Sequence, residues 1–81
     1  MKQRYTKQFL KSYAGAPPEV QKAFDKQLGF LLDNLKHPSL HAKKYDESQD
    51  RWQARVNRSW RFYFKIEGDA YVLTGITPHP K

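Results

Sequence analysis

The stretch RWQARVNRSWRFYFKIEG, Arg51–Gly68, decides how this chain folds. Trp52, Ala54 and Val56 alternate with Arg51, Gln53 and Arg55, and Trp60, Phe62, Phe64 and Ile66 alternate with Arg61, Tyr63 and Lys65. Successive side chains of a strand point to opposite faces, so this pattern predicts two strands, each with one apolar face. Both tryptophans must lie on the buried side. A loop of Asn57–Ser59 achieves this by setting Val56 opposite Trp60, Ala54 opposite Phe62 and Trp52 opposite Phe64. The same register puts Arg55 directly across from Arg61, and Arg51 across from Lys65, on the other face.

Like charges facing each other across strands destabilise a sheet. From Arg51 to Ile66 there are five basic residues and no acidic one, so the stretch itself offers no neutralising partner. An anion held between the arginines compensates, because guanidinium forks match phosphate oxygens in two-pronged geometry. Tyr63 lies on this face as well, close enough to stack on a base. The competing reading has the arginines splayed into water or paired with carboxylates from the preceding loop.

On the C-terminal side, Glu67-Gly68-Asp69 reads as a turn. Ala70–Thr77 is apolar at both parities, as expected of a central strand covered on both faces. On the N-terminal side, Gln3–Thr6 predicts a short strand, with Thr6 able to cap a helix over KQFLKSYAG whose Phe9, Leu10 and Tyr13 share one face. Gly15 stands where a helix end favours positive φ, and Pro17-Pro18 enforces the break, with Pro18 in the first turn of a second helix. In that helix Val20, Phe24, Leu28, Leu31 and Leu35 recur at helical spacing, with Ala23 and Leu32 alongside. Gly29 inside it suggests close contact with the first helix. The helix should end before Pro38. Residues 37–50, HPSLHAKKYDESQD, read as an exposed polar loop. The expected order is β-α-α-β-β-β, an α+β domain over residues 1–81 with an antiparallel sheet and a helical hairpin packed on one face.

A chain of 81 residues buries only about 60–65% of its unfolded surface, so its core must be used efficiently. The aromatic fraction of 15% supplies bulky material for it. There is no cysteine, which excludes disulfide staples and thiolate metal sites. No signal peptide or membrane span is evident, so the expected compartment is the cytoplasm. The net charge of +7 favours a polyanionic partner: nucleic acid, an acidic membrane surface or an acidic protein.

Four features in order, the HPSL helix exit at 37–40, the ARVN-x-x-W-R-x-x-F hairpin at 54–64, the acidic-glycine turn and the closing Ile76-x-x-His79, resemble the RelE/ParE toxin superfamily of prokaryotic toxin–antitoxin systems. The resemblance covers nearly the whole chain. It implies a ribosome-dependent endoribonuclease that cuts mRNA in the A site and needs neither metal nor small-molecule cofactor. Its partners would be the ribosome, mRNA and a cognate acidic antitoxin, with no membrane involved. In such enzymes the 2′-hydroxyl attacks the adjacent phosphorus, which requires a proton acceptor, positive charge on the phosphorane and a donor for the leaving oxygen. By resemblance, Arg61 would stabilise the phosphorane, Arg55 would grip the scissile phosphate and His79 would donate the proton. Glu47 or Asp46 would accept the first proton, with His41 as an alternative. Lys43 and Lys44 would contact RNA backbone, and Arg51, Tyr63 and Lys65 would complete the RNA-binding face. His37, just before Pro38, reads instead as a charge at a helix C-terminus. A different class of function in the same superfamily, a ParE-like protein that inhibits DNA gyrase without cutting anything, does not need the arginine–histidine set. A third reading is a relative that binds nucleic acid without cleaving it.

Overall fold

The computed structural model describes residues 1–78. In chain order it contains β1 (Lys2–Tyr5), α1 (Lys7–Ala14), α2 (Pro18–Asp33), a single 3-10 turn (Pro38–Leu40), β2 (Lys43–Asp46), β3 (Arg51–Arg55), β4 (Trp60–Glu67) and β5 (Ala70–Pro78). The strands form one sheet in the order β1-β5-β4-β3-β2. β1 pairs with β5 in parallel, while the other neighbours are antiparallel, so the α+β class stands and the sheet is mixed. The helices that separate β1 from the later strands make the parallel pairing feasible, since a parallel neighbour needs a long crossover.

The β3–β4 hairpin adopts the register expected from side-chain parity. Trp52 pairs with Phe64, Ala54 with Phe62, Arg55 with Arg61 and Arg51 with Lys65. Asn57 organises the turn by accepting from the N–H groups of Ser59 and Trp60, both at 2.9 Å. The next turn requires φ of +58 at Gly68, a conformation glycine adopts without a Cβ penalty. β5 is an interior strand, between β1 and β4, but the helices cover only one of its faces rather than both as expected. A bulge at the Tyr63–Phe64 step leaves Thr74 unpaired between Leu73 and Gly75.

α1 and α2 cover one face of the sheet. Phe9, Phe24, Phe62, Phe64, Leu31, Leu40 and Leu73 are fully buried. Phe24 meets Phe62 edge-on at 5.1 Å between ring centroids, and Phe64 meets Tyr71 likewise at 5.5 Å. Full burial of such a side chain contributes about 1.5–3 kcal/mol. Trp52 and Trp60 are half-buried against this core. Thr6 caps α1 as expected, its Oγ1 accepting from Phe9 N–H at 3.0 Å. β1 ends opposite Leu73, and beyond it the N–H of Ile76 donates to Ser12 Oγ at 3.1 Å, which fastens α1 to the edge of β5 that β1 leaves unpaired.

Four local expectations need correction. Residues 37–50 are not a plain exposed loop. Leu40 is completely buried, and Lys43–Asp46 adds a fifth strand at the sheet edge, its short length and four polar or charged neighbours having masked its pairing. Gly15 has φ of −84 rather than a positive value, because its N–H and that of Ala16 close the end of α1 onto Lys11 and Tyr13 carbonyls without a left-handed residue. α2 ends at Asp33, and Leu35 follows it half-buried. Gly29 is exposed, and a Cβ there would meet nothing within 4 Å, so no close helix contact explains it.

α2 also buries a polar residue that periodicity does not flag. Gln27 donates through Nε2 to the carbonyls of Ser39 at 3.0 Å and Arg55 at 2.9 Å, and its Oε1 accepts from Ser39 Oγ at 3.1 Å. One side chain thus ties α2 to the 3-10 turn and to the end of β3.

Candidate nucleic-acid interface

The face of the sheet opposite the helices carries Lys43 on β2, Arg51, Gln53 and Arg55 on β3, and Arg61, Tyr63 and Lys65 on β4, each matched to a neighbour in register. Strand periodicity alone puts them together: they are the odd-numbered partners of the buried tryptophan–phenylalanine set. Lys2 and Arg4 of β1 continue the same face through their pairing with Ala70 and Val72.

Arg55 and Arg61 oppose each other directly. Among the described residues no carboxylate lies within ion-pair distance of Arg51, Arg55 or Arg61, and the one acid near them, Asp46, is the register partner of Arg51 and not of the Arg55–Arg61 pair. Arg61 is anchored by its own hairpin, with Nη1 donating to the carbonyls of Asn57 at 2.8 Å and Trp60 at 3.0 Å. A guanidinium has five N–H donors, so this leaves the remainder of the fork uncommitted. The Nε of Arg55 is buried and has no partner among the described residues. A buried donor without an acceptor is costly, but this nitrogen is closed to solvent, so an oxyanion between the two arginines would be met by the terminal N–H groups of their forks. The arrangement can hold a phosphate and stabilise added negative charge on it.

The carboxylate candidates fall elsewhere. Glu47 is highly exposed and lies 3.7 Å from Lys44 Nζ. Lys44 pairs with Trp52, sits 5.6 Å from the Trp52 ring and makes a 2.9 Å ion pair with Asp50. Trp52 belongs to the helix side of the sheet, so Lys44 and its acids cluster there and not with the arginine pair. The hydrogen bond to Asp50 raises the Lys44 pKa, keeping the ammonium charged. Asp46 accepts from Ser48 Oγ at 2.7 Å and from Gln49 N–H at 3.2 Å. The Ser48 bond is the main reason its pKa falls below the usual carboxylate value, so Asp46 is a weak proton acceptor. It pairs with Arg51, four residues along β3 from Arg55 and therefore on the order of 13 Å away along the strand. His41 has φ of +47 at the end of the 3-10 turn and lines a cavity of about 290 Å³ with His37 and Trp52. His37 stacks on Phe30 at 4.0 Å, and its Nδ1 accepts from Ser39 N–H. It is a structural residue. His79 lies outside the described residues.

Two contributors were not legible beforehand. Tyr45, assigned to a loop by its polar neighbours, stands on the edge strand with its ring 5.5 Å from that of Tyr63 at 71°. Gly75, paired with Tyr63, leaves room in the floor of a concavity of about 370 Å³ that Tyr45, Arg51, Tyr63 and Lys65 also line. The bulge on β5 that shapes this floor has no signature in an apolar run.

No protein-family model matches the chain, and no curated protein sequence matches it. Solved structures do. The chain superposes on a YoeB/ParE toxin from Agrobacterium tumefaciens with a TM-score of 0.81 at 12% identity, covering 99% of this chain and 100% of that one. It superposes on YafQ from E. coli with a TM-score of 0.79 at 17% identity, covering 96% and 92%. A chain of the RelB–RelE antitoxin–toxin complex from Methanococcus jannaschii matches with a TM-score of 0.74 at 16% identity, covering 93% of this chain and 88% of that one. Identities this low establish a shared fold, that of the RelE/ParE toxins.

Proposed function

We propose that this chain, which has the fold of the RelE/ParE toxin superfamily, is the toxin of a toxin–antitoxin pair and acts as an endoribonuclease on mRNA in the ribosomal A site. The observation that carries this reading is the cross-strand Arg55–Arg61 pair on the open face, with no carboxylate within ion-pair distance of either among the described residues. In the proposed reaction the 2′-oxygen bonds to the adjacent phosphorus and the bond from phosphorus to the 5′-oxygen breaks. The products are a 2′,3′-cyclic phosphate and a 5′-hydroxyl. Arg61 stabilises the phosphorane, held by its bonds to Asn57 and Trp60, and Arg55 grips the scissile phosphate. Lys43, Arg51 and Lys65 hold flanking phosphates. His79, which follows Pro78 in the sequence, donates the proton to the leaving oxygen. Glu47 is the remaining carboxylate for the acceptor role, since the lowered pKa of Asp46 makes it a poor base, and Glu47 would have to leave Lys44 to reach RNA.

An antitoxin partner is supported by the complexes in which matching folds are found, RelB–RelE from Methanococcus jannaschii and YoeB–YefM from Staphylococcus aureus. The charge of +7 favours an acidic one. The second reading, a ParE-like inhibitor of gyrase, is kept because one matching structure is described as YoeB/ParE. Expression of Arg61→Ala in a bacterial host tests the site. Removing a transition-state cation costs about 10²-fold or more in rate, so growth should be spared. Full growth arrest by a folded Arg61→Ala protein refutes the assignment.

A further inference from the structure

We propose that the concavity on the open face is a nucleobase subsite, in which one unpaired base of the RNA lies over Gly75 against Tyr63 and is held edgewise by Tyr45. This rests on the reading of the chain as an RNA-cleaving toxin and adds to it the place where one base is gripped.

The geometry carries it. The concavity, about 370 Å³, falls in the range of small-ligand sites and is open enough for a planar base. Tyr63 pairs with Gly75, yet a Cβ built on Gly75 would meet nothing within 4 Å, so the Tyr63 ring leans away from its strand partner. It leans toward Tyr45, whose ring stands at 71° to it. The two tyrosines therefore make a corner: one ring to stack against, a second to close the side. Tyr45 packs on Tyr63 alone among the aromatic rings and remains 46% exposed, so much of its aromatic surface is open. Arg51 and Lys65, opposed in register, flank the corner with the positive charge a sugar–phosphate backbone needs. Thr77, at the rim, supplies a hydroxyl that can donate to or accept from a base edge.

Spacing connects this subsite to the arginine pair. Gln53–Tyr63 is two residues along the hairpin from Arg55–Arg61, on the order of 7 Å. That is a reach one nucleotide can bridge, so the gripped base belongs to a nucleotide next to the scissile phosphate. Stacking on aromatic side chains tolerates any base, which predicts a positional grip with weak sequence preference.

The test is fluorescence anisotropy with a 2′-O-methyl trinucleotide, which cannot be cleaved, and with three versions of it, each abasic at one position. The parent protein should bind the intact trinucleotide about tenfold or more tightly than one of the abasic forms. Tyr45→Ala and Gly75→Val should each lose that preference and bind both RNAs at the weaker level. Valine suits a strand, its Cβ meets no atom within 4 Å, and its methyl groups project into the concavity. Arg61→Ala should weaken all the RNAs together. If the parent shows no preference, or if Tyr45→Ala retains it, the subsite is overturned while the arginine site stands. If the parent binds none of them, the subsite is overturned, and cleavage on programmed ribosomes decides the RNA reading separately.

Discussion

Replacing Gln27 by leucine should destabilise the protein far more than a polar-to-apolar change inside a helix ordinarily would. Gln27 is only 7% exposed, and its amide serves three partners: the carbonyls of Ser39 and Arg55 and the hydroxyl of Ser39. Leucine is similar in size, so the cost is chiefly electrostatic. Two carbonyl oxygens would be left without their donor in a water-poor place, at about 1–3 kcal/mol each, against which leucine regains some burial free energy. A net loss of about 2–4 kcal/mol follows. For a domain of 60–100 residues each kcal/mol moves Tm by roughly 4–8 °C, so the drop should be about 10–20 °C or more. Thermal unfolding followed by circular dichroism would measure it. The loss should also loosen Arg55, whose carbonyl Gln27 holds, and amide exchange at Arg55–Asn57 should speed up relative to Phe62–Phe64. A Tm change under about 3 °C would refute the claim that this amide fastens β3 to α2.

Gly29→Ala should stabilise by about 0.5–1 kcal/mol, because the site is exposed, helical and empty around the added Cβ; a fall in Tm would contradict this. Phe62→Ala should cost about 3–5 kcal/mol in denaturant unfolding, since the ring is fully buried between Phe24 and Phe64. Asp46 has a folded pKa below its ordinary value of 3.8, so its contribution to stability is present above that value and lost as pH falls through the folded pKa. Asp46→Asn should therefore be less stable than the parent at neutral pH and converge with it in acid; a constant difference from pH 7 down to about 2 would contradict the assignment. Capture by the antitoxin should slow as salt rises from low to moderate concentration, which stopped-flow mixing would detect.

The hairpin was legible because parity is a binary choice. Once Trp52 and Trp60 must share a face, the positions of Arg55, Arg61, Arg51 and Lys65 follow, and the structure has them there. α2 was legible from its apolar spacing, and the cap at Thr6 from side-chain chemistry. What escaped depends on contacts distant in sequence. Lys43–Asp46 is a strand only because β3 offers an edge to pair with, and nothing in KKYD itself favours pairing over solvation. The burial of Leu40 and Gln27 arises from the same docking of the turn onto α2. Within the candidate site, parity brought the arginines together but did not say where the acids would lie. Lys44 and Asp46 are adjacent to Tyr45, yet the bulge there sends Lys44 to the Trp52 side and fixes Asp46 beside Arg51.

The central claim, that the arginine pair cuts RNA, is tested most directly by primer extension on mRNA translated by purified ribosomes with and without the protein. New 5′-hydroxyl ends should appear within the A-site codon, absent with Arg61→Ala and with free mRNA lacking ribosomes. Intact mRNA in every lane, with DNA gyrase inhibited by the same protein preparation, would contradict it.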